Sequence, residues 1–181
     1  MKAIKIFLFA SLLISCNQSM DQKDIIRWFN DYDNGVHVKK SHGVYSFDLL
    51  YQAPIYLKAM NNLNEDPENH IAQFRLKIGL NGSDQNVLHF QSKNERERQS
   101  LLYYYNYEFQ RSLKLIIDDE EYSCELFQFE KAIKKNGELN FTLGFPIPKK
   151  LERGKLIIDS PQISTIPINL AVHTQDIPEI H

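Results

Sequence analysis

The run Tyr103-Tyr104-Tyr105-Asn106-Tyr107 is the part of this 181-residue chain whose composition best suits holding a ligand. Tyrosine joins an apolar ring to a hydroxyl, so tyrosine-rich surfaces stack on sugars and on partner proteins. Tyr103, Tyr104, Tyr105 and Tyr107 are therefore candidate partner contacts, and Trp28, in the segment DIIRWFND, is another. The competing reading makes Tyr103, Tyr105 and Tyr107 the packed face of a strand, with Tyr104, Asn106, Glu108 and Gln110 turned outward.

The remaining chemistry-bearing residues do not form catalytic patterns. The six histidines, at 37, 42, 70, 89, 173 and 181, are scattered, and the spacing of His37 and His42 does not suit two ligands on one helix face. Asn62, Asn64, Asp66 and Glu68 alternate like the start of a calcium loop, but Pro67 and Gln73 stand where such a loop needs glycine and a bidentate glutamate. Ser41, Ser46, Ser83, Ser92 and Ser164 lie in no G-x-S-x-G elbow. Cys124 is expected to be a small buried residue opposite Phe127 and Phe129. Carboxylates are abundant, notably at 118–121 and 125, and a glycosidase would need two of them held across a cleft. No catalytic, cofactor-binding or metal-ligating residue is assigned, and no phosphate-binding G-x-x-x-x-G-K-[ST] occurs.

The N-terminus carries an address. Lys2 and Lys5 precede the short apolar stretch 6–14, which is too short to span a hydrocarbon core of about 30 Å at about 1.5 Å per residue. The segment reads as an export signal. It closes on Leu13-Ile14-Ser15-Cys16, which resembles the lipobox of bacterial lipoprotein signal peptides. That resemblance implies that Cys16 becomes the first residue of the mature chain and carries diacylglycerol plus an amide-linked acyl chain such as palmitate. Two or more acyl chains, each contributing about 0.8 kcal/mol per buried CH₂, hold a protein on a membrane effectively permanently. The expected organisation is a signal peptide over 1–15, a lipid-anchored tether over 16–22 and one β-rich domain over 23–181. The mature chain would carry 19 Lys+Arg against 23 Asp+Glu, a net charge of −4, which argues against a nucleic-acid partner.

The elements that must position these residues follow from periodicity. Ile25, Ile26, Trp28 and Phe29 sit at spacings a short helix could bury, and residues 55–61 read as a short helix or a crossing segment. Strict alternation over 44–51, 72–80 and 139–145 predicts strands. Residues 87–90 are expected as a short return strand, and 113–117 with 122–130 as a hairpin around an acidic turn. Leu101, Tyr103, Tyr105, Tyr107 and Phe109 occupy every odd position, which predicts a strand, although Leu101, Tyr105 and Phe109 also keep helical spacing. About eight strands at intervals of about ten to fifteen residues predict a mainly β fold. The expected form is an antiparallel β-sandwich, immunoglobulin-like in one version, with a few short helices; the alternative is α+β with one antiparallel sheet.

On its lipobox cysteine, the run 47–56, Arg98 with Tyr104, Phe109-Gln110, Leu113, the run 124–130 and the strand 141–145, the chain resembles a group of uncharacterised Gram-negative bacterial lipoproteins with β-rich domains. Members of that group often place Arg after the Phe-Glu pair, where this chain has Lys131. The resemblance implies acylation at Cys16 and brings no activity. The sequence thus predicts a lipid-anchored protein of the bacterial cell envelope, with the outer membrane as its address, acting as a non-catalytic binding or assembly accessory. Its partners would be the membrane, through the acyl chains, and an envelope protein or a glycan. The alternatives are a hydrolase acting on glycan or peptidoglycan, and a purely structural envelope lipoprotein.

Overall fold

A computed structural model describes residues 20–61, 70–130, 137–148 and 150–178. The first element is helix α1 (Gln22–Asn30), which opens within the stretch expected to be tether. Its start is fixed by Asp21, whose carboxylate accepts the Asp24 N–H at 2.8 Å. Ile25 and Phe29, one helical turn apart, are its buried face. Asp31 then turns extended and caps a short 3-10 turn, Tyr32–Asn34.

Strands β1 (His37–His42), β2 (Tyr45–Tyr51) and β3 (Ile71–Leu80) follow, with helix α2 (Pro54–Asn61) between the last two. Later in the chain come β6 (Leu126–Glu130) and β7 (Leu139–Pro146), and these five strands form one antiparallel sheet in the order β1-β2-β3-β7-β6. Its register explains the alternation in the sequence. Leu49, Leu76, Phe141 and Phe129 stand in one cross-strand row, and Tyr51, Phe74, Leu143 and Phe127 in another. Most of these side chains are completely buried and form one wall of the core. The opposite face carries Asp48, Lys77, Asn140 and Glu130 in one row and Arg75, Thr142 and Gln128 in the next.

A second antiparallel sheet contains β4 (Leu113–Ile117), β5 (Glu120–Ser123), β8 (Arg153–Ile158) and β9 (Ile168–His173), in the order β5-β4-β8-β9. Its buried positions alternate as well: Leu113, Leu115 and Ile117 on β4, then Ile168, Leu170 and Val172 on β9. The two sheets contribute to one hydrophobic core. They meet near β1 and β9, where the His173 N–H donates to the Gly35 carbonyl at 3.0 Å and the Lys40 ammonium to the Asn169 carbonyl at 2.9 Å.

The architecture is mixed α/β, with two separate antiparallel sheets and four α-helices among the described residues. It is neither the antiparallel β-sandwich expected from strand spacing, immunoglobulin-like or not, nor an α+β fold on a single sheet. Two segments account for the difference. Residues 87–91 are helix α3 (Val87–Gln91) instead of a return strand, because the Asn86 side chain accepts the N–H groups of Leu88 and His89 and so starts a helical turn. The odd-numbered aromatics after residue 100 are also helical. Helix α4 (Glu95–Tyr103) continues into a π-helical turn, Tyr104–Glu108, and a 3-10 turn, Phe109–Ser112. Asn94 accepts the Glu97 N–H at 2.9 Å while the Glu97 carboxylate reaches back to the Lys93 N–H at 2.7 Å. This reciprocal cap commits the segment to helix before the aromatic run begins.

The hairpin expected over 113–130 also differs. β5 ends at Ser123, and the chain crosses at Cys124 and Glu125 into β6 of the other sheet. No described helix is long and apolar enough to cross a membrane.

Candidate functional site

Helices α3 and α4 are joined through their side chains before any ligand is considered. The Arg98 guanidinium donates to His89 Nε2 at 2.8 Å and pairs with Glu95 one turn earlier. Hydrogen bonds from Gln99 and Arg98 hold the Glu95 carboxyl below the usual carboxylate range. Because Arg98 has only donors, His89 Nε2 must be its acceptor, which fixes the tautomer of that ring while the bond is made.

The π-helical turn sorts the tyrosines. Tyr105 is fully buried, with its ring against Phe109, Phe129 and Phe141 and its hydroxyl on Gln91 Oε1 at 3.0 Å. Burial pushes its phenol well above the ordinary value. Tyr104 turns toward the second sheet, where its hydroxyl meets Ser160 Oγ at 2.7 Å and Ser112 Oγ at 3.2 Å. Tyr103 and Tyr107 point outward, 59% and 65% exposed, with ring centroids 5.0 Å apart and planes tilted by 47°. A π turn is uncommon, and here it closes α4 before the chain tightens into the 3-10 turn.

Those two rings border a cleft of about 790 Å³ between the helical segment and the β6–β7 end of the five-stranded sheet. Leu102 and Phe129 give it apolar surface, and His89, Arg98, Asn106, Glu130 and Glu138 give it polar surface. One Nδ2–H of Asn106 donates to the Leu102 carbonyl at 2.6 Å, which fixes the amide and leaves Oδ1 as its acceptor. The size lies within the range of small-molecule sites, and the mixture of apolar surface with a few placed polar groups is their usual composition. Gly137 holds the cleft's far wall in place. Its φ is +64°, and a Cβ there would lie 2.5 Å from Asn86 Cα, so the chain leading into β7 can approach the start of α3 only as glycine. The Val87 N–H completes that junction by donating to the Gly137 carbonyl at 3.0 Å.

The other candidates are dispersed. Trp28 packs edge-on against Phe29 at 5.1 Å on α1 and borders a separate depression with Met20, Asp24 and Asn34. Cys16 and the oxygen-rich stretch 62–68 lie outside the described residues. Cys124 is buried, donates its thiol to the Leu126 carbonyl at 3.2 Å, and is pushed up to about 11 by that burial, so it is held as the unreactive thiol. Among the described residues no group of three or more His, Cys, Asp or Glu is placed to hold a metal ion.

One further polar cluster was not anticipated. His37 is buried, with Nε2 on Asp48 Oδ1 at 3.1 Å and Nδ1 facing the Asn30 carbonyl at 3.0 Å. The Tyr32 ring stacks on the imidazole at 4.1 Å and its hydroxyl donates to Asp48 Oδ2 at 2.8 Å. Burial alone would raise the Asp48 carboxyl, but the hydrogen bonds from His37 and Tyr32 outweigh it and hold the group at about 2. Burial, then the bond to Asp48, pushes the Tyr32 phenol up to about 12. Every polar atom of the imidazole is engaged and a ring covers one of its faces, so this cluster fastens α1 to the sheet and offers no position to a substrate.

Of the candidate contacts Trp28, Tyr103, Tyr104, Tyr105 and Tyr107, the structure brings Tyr103 and Tyr107 together at the cleft, buries Tyr105, turns Tyr104 to Ser160 and sets Trp28 elsewhere; His89, Arg98, Glu130 and Glu138 are not among the candidates. Arg98 enters the sequence reading only through the lipoprotein resemblance; the cap at Asn94 is the signal that places it on a helix. No family model, no curated protein and no solved structure matches the chain.

Proposed function

We propose that this chain is an envelope lipoprotein, anchored by acyl chains on Cys16, whose folded domain binds a ligand in the cleft beside Tyr103 and Tyr107. The observation that carries the binding reading is the pair of outward tyrosine rings at the π turn. They leave a large aromatic surface in water beside pre-positioned polar groups, although burying such rings is strongly favourable. The anchor reading is supported by Lys2, Lys5, the apolar stretch 6–14 and Ser15-Cys16. Anchoring and binding work together: a tether confines the domain to a thin layer above the membrane and raises its effective concentration toward anything held in the same envelope.

A second reading has its own support. Glu130 and Glu138 line the same cleft on its β6–β7 side, alongside His89, and a glycan hydrolase works with two carboxylates. Hydrolysis and simple binding differ in one readout, the release of new reducing ends from a bound glycan.

The test of the proposal is fractionation and protease shaving of cells carrying the wild type or Cys16→Ala. Expected is a membrane-bound wild type and a variant released from the membrane. A variant that stays on the membrane equally well overturns the anchor. Binding is tested by placing a photo-crosslinking residue at position 107 in cells. A discrete adduct lost on Tyr103→Ala supports the cleft as a contact surface, and a protein with no adduct to any cell component overturns it.

A further inference from the structure

We infer that the ligand of this cleft is a saccharide, an inference that rests on the reading of the cleft as the ligand site. A pyranose ring has two requirements at once: an apolar surface for its C–H face, and around its rim groups that can both donate to and accept from hydroxyls. The cleft supplies both kinds of surface side by side. Tyr103 and Tyr107, tilted by 47°, are two facets of one apolar corner, and both rings are accessible to solvent. Near that corner stand a guanidinium (Arg98), an imidazole (His89) and an amide acceptor (Asn106 Oδ1). Planar groups of these types donate or accept in the two-pronged manner that vicinal hydroxyls can meet.

Pre-organisation favours the same ligand. Arg98 is held by His89 and Glu95, and Asn106 is held by the Leu102 carbonyl, so both reach their bound geometry with little loss of side-chain freedom. An acyl chain fits less well, because it would set hydrocarbon against the Asn106 amide oxygen and against Arg98, whose remaining hydrogen-bonding capacity it cannot meet. A peptide strand adding to the sheet would seek main-chain partners along an edge. Most of the residues that line this cleft belong to helices and not to the β6 edge.

The experiment is a printed array of bacterial envelope and host saccharides probed with the full chain in detergent, followed by calorimetric titration of the bound saccharide. Tyr103→Ala/Tyr107→Ala is measured beside the wild type, with a thermal melt to show that both are folded. The expected result is a bound saccharide whose affinity falls about tenfold or more in the double alanine variant and about threefold or less in Tyr103→Phe/Tyr107→Phe. Saccharide binding that the alanine variant leaves unchanged overturns the inference. An empty array together with a position-107 photo-adduct to one envelope protein overturns the saccharide and leaves the cleft as a contact surface. An empty array with no photo-adduct overturns both.

Discussion

Each end of the five-stranded sheet carries a histidine bonded to a charged neighbour, and the two pairs meet water differently. At the β1–β2 end, His37 is enclosed by Asp48, Asn30 and the Tyr32 ring. At the β6–β7 end, His89 accepts from Arg98 in the wall of an open cleft, beside two tyrosines that nothing covers. In the first case the polar atoms have found their partners inside the fold, so the cluster's contribution is stability. In the second, the fold holds side chains in position and leaves part of their capacity unspent, which is the condition for binding something else. The difference lies in what the neighbouring element does: the turn after α1 closes over its histidine, and the end of α4 with its π turn stands Tyr103 and Tyr107 outward.

The comparison can be broken from the stable side first. Asp48→Ala leaves a buried imidazole and a tyrosine hydroxyl without their shared acceptor and should cost about 3 kcal/mol in urea unfolding. Its ligand binding, measured at a temperature where the variant is folded, should stay within twofold of the wild type. An acid titration of stability probes the same carboxylate more gently. Because the Asp48 carboxyl falls from 3.8 to about 2 on folding, its contribution is complete above the unfolded value and disappears as pH drops through the folded one. Thermal melts should lose about 2 kcal/mol between about pH 5 and pH 2 from this group, and Asp48→Asn should flatten that limb.

Gly137→Ala is expected to join the two ends in one readout. It forces a side chain into the Asn86 backbone at a positive φ, so it should cost at least about 2 kcal/mol and also weaken ligand binding by shifting α3. Tyr103→Ala/Tyr107→Ala sits at the bottom of the stability scale, with a change within about 0.5 kcal/mol because both rings are exposed. Its effect should appear in binding alone. A loss of several kcal/mol there would mean that the two rings are structural after all.

How much of this was legible depended on whether one period or two fitted the residues. β2, β3 and β7 were plain because their apolar residues alternate and fit no other repeat. Residues 101–109 fitted two: aromatics at every odd position satisfy a strand, and Leu101, Tyr105 and Phe109 also satisfy a helix. The structure buries those last three and leaves Tyr103 and Tyr107 in water. The information that decided it, the cap at Asn94, lies upstream of the aromatic run. The passage from β5 to β6 was hidden for another reason: a strand that changes sheet keeps its alternation nearly intact, and only Cys124 and Glu125 mark the crossing. The cleft was half legible. Its tyrosines declared themselves by composition, whereas His89, Arg98 and Glu138 belong to segments that tertiary folding and the Gly137 junction bring together.

The strand order has a mechanical consequence. Residue 20 enters the fold through α1, which is fastened at the β1–β2 corner, while the cleft is built on β7 and β6 at the other end of the same sheet. Four inter-strand spacings at about 4.8 Å separate β1 from β6, a lever arm of roughly 19 Å. A pull on the chain before residue 20 is therefore taken up first by α1 and the His37–Asp48 fastening. The cleft, at the unloaded end, keeps its shape until that corner yields.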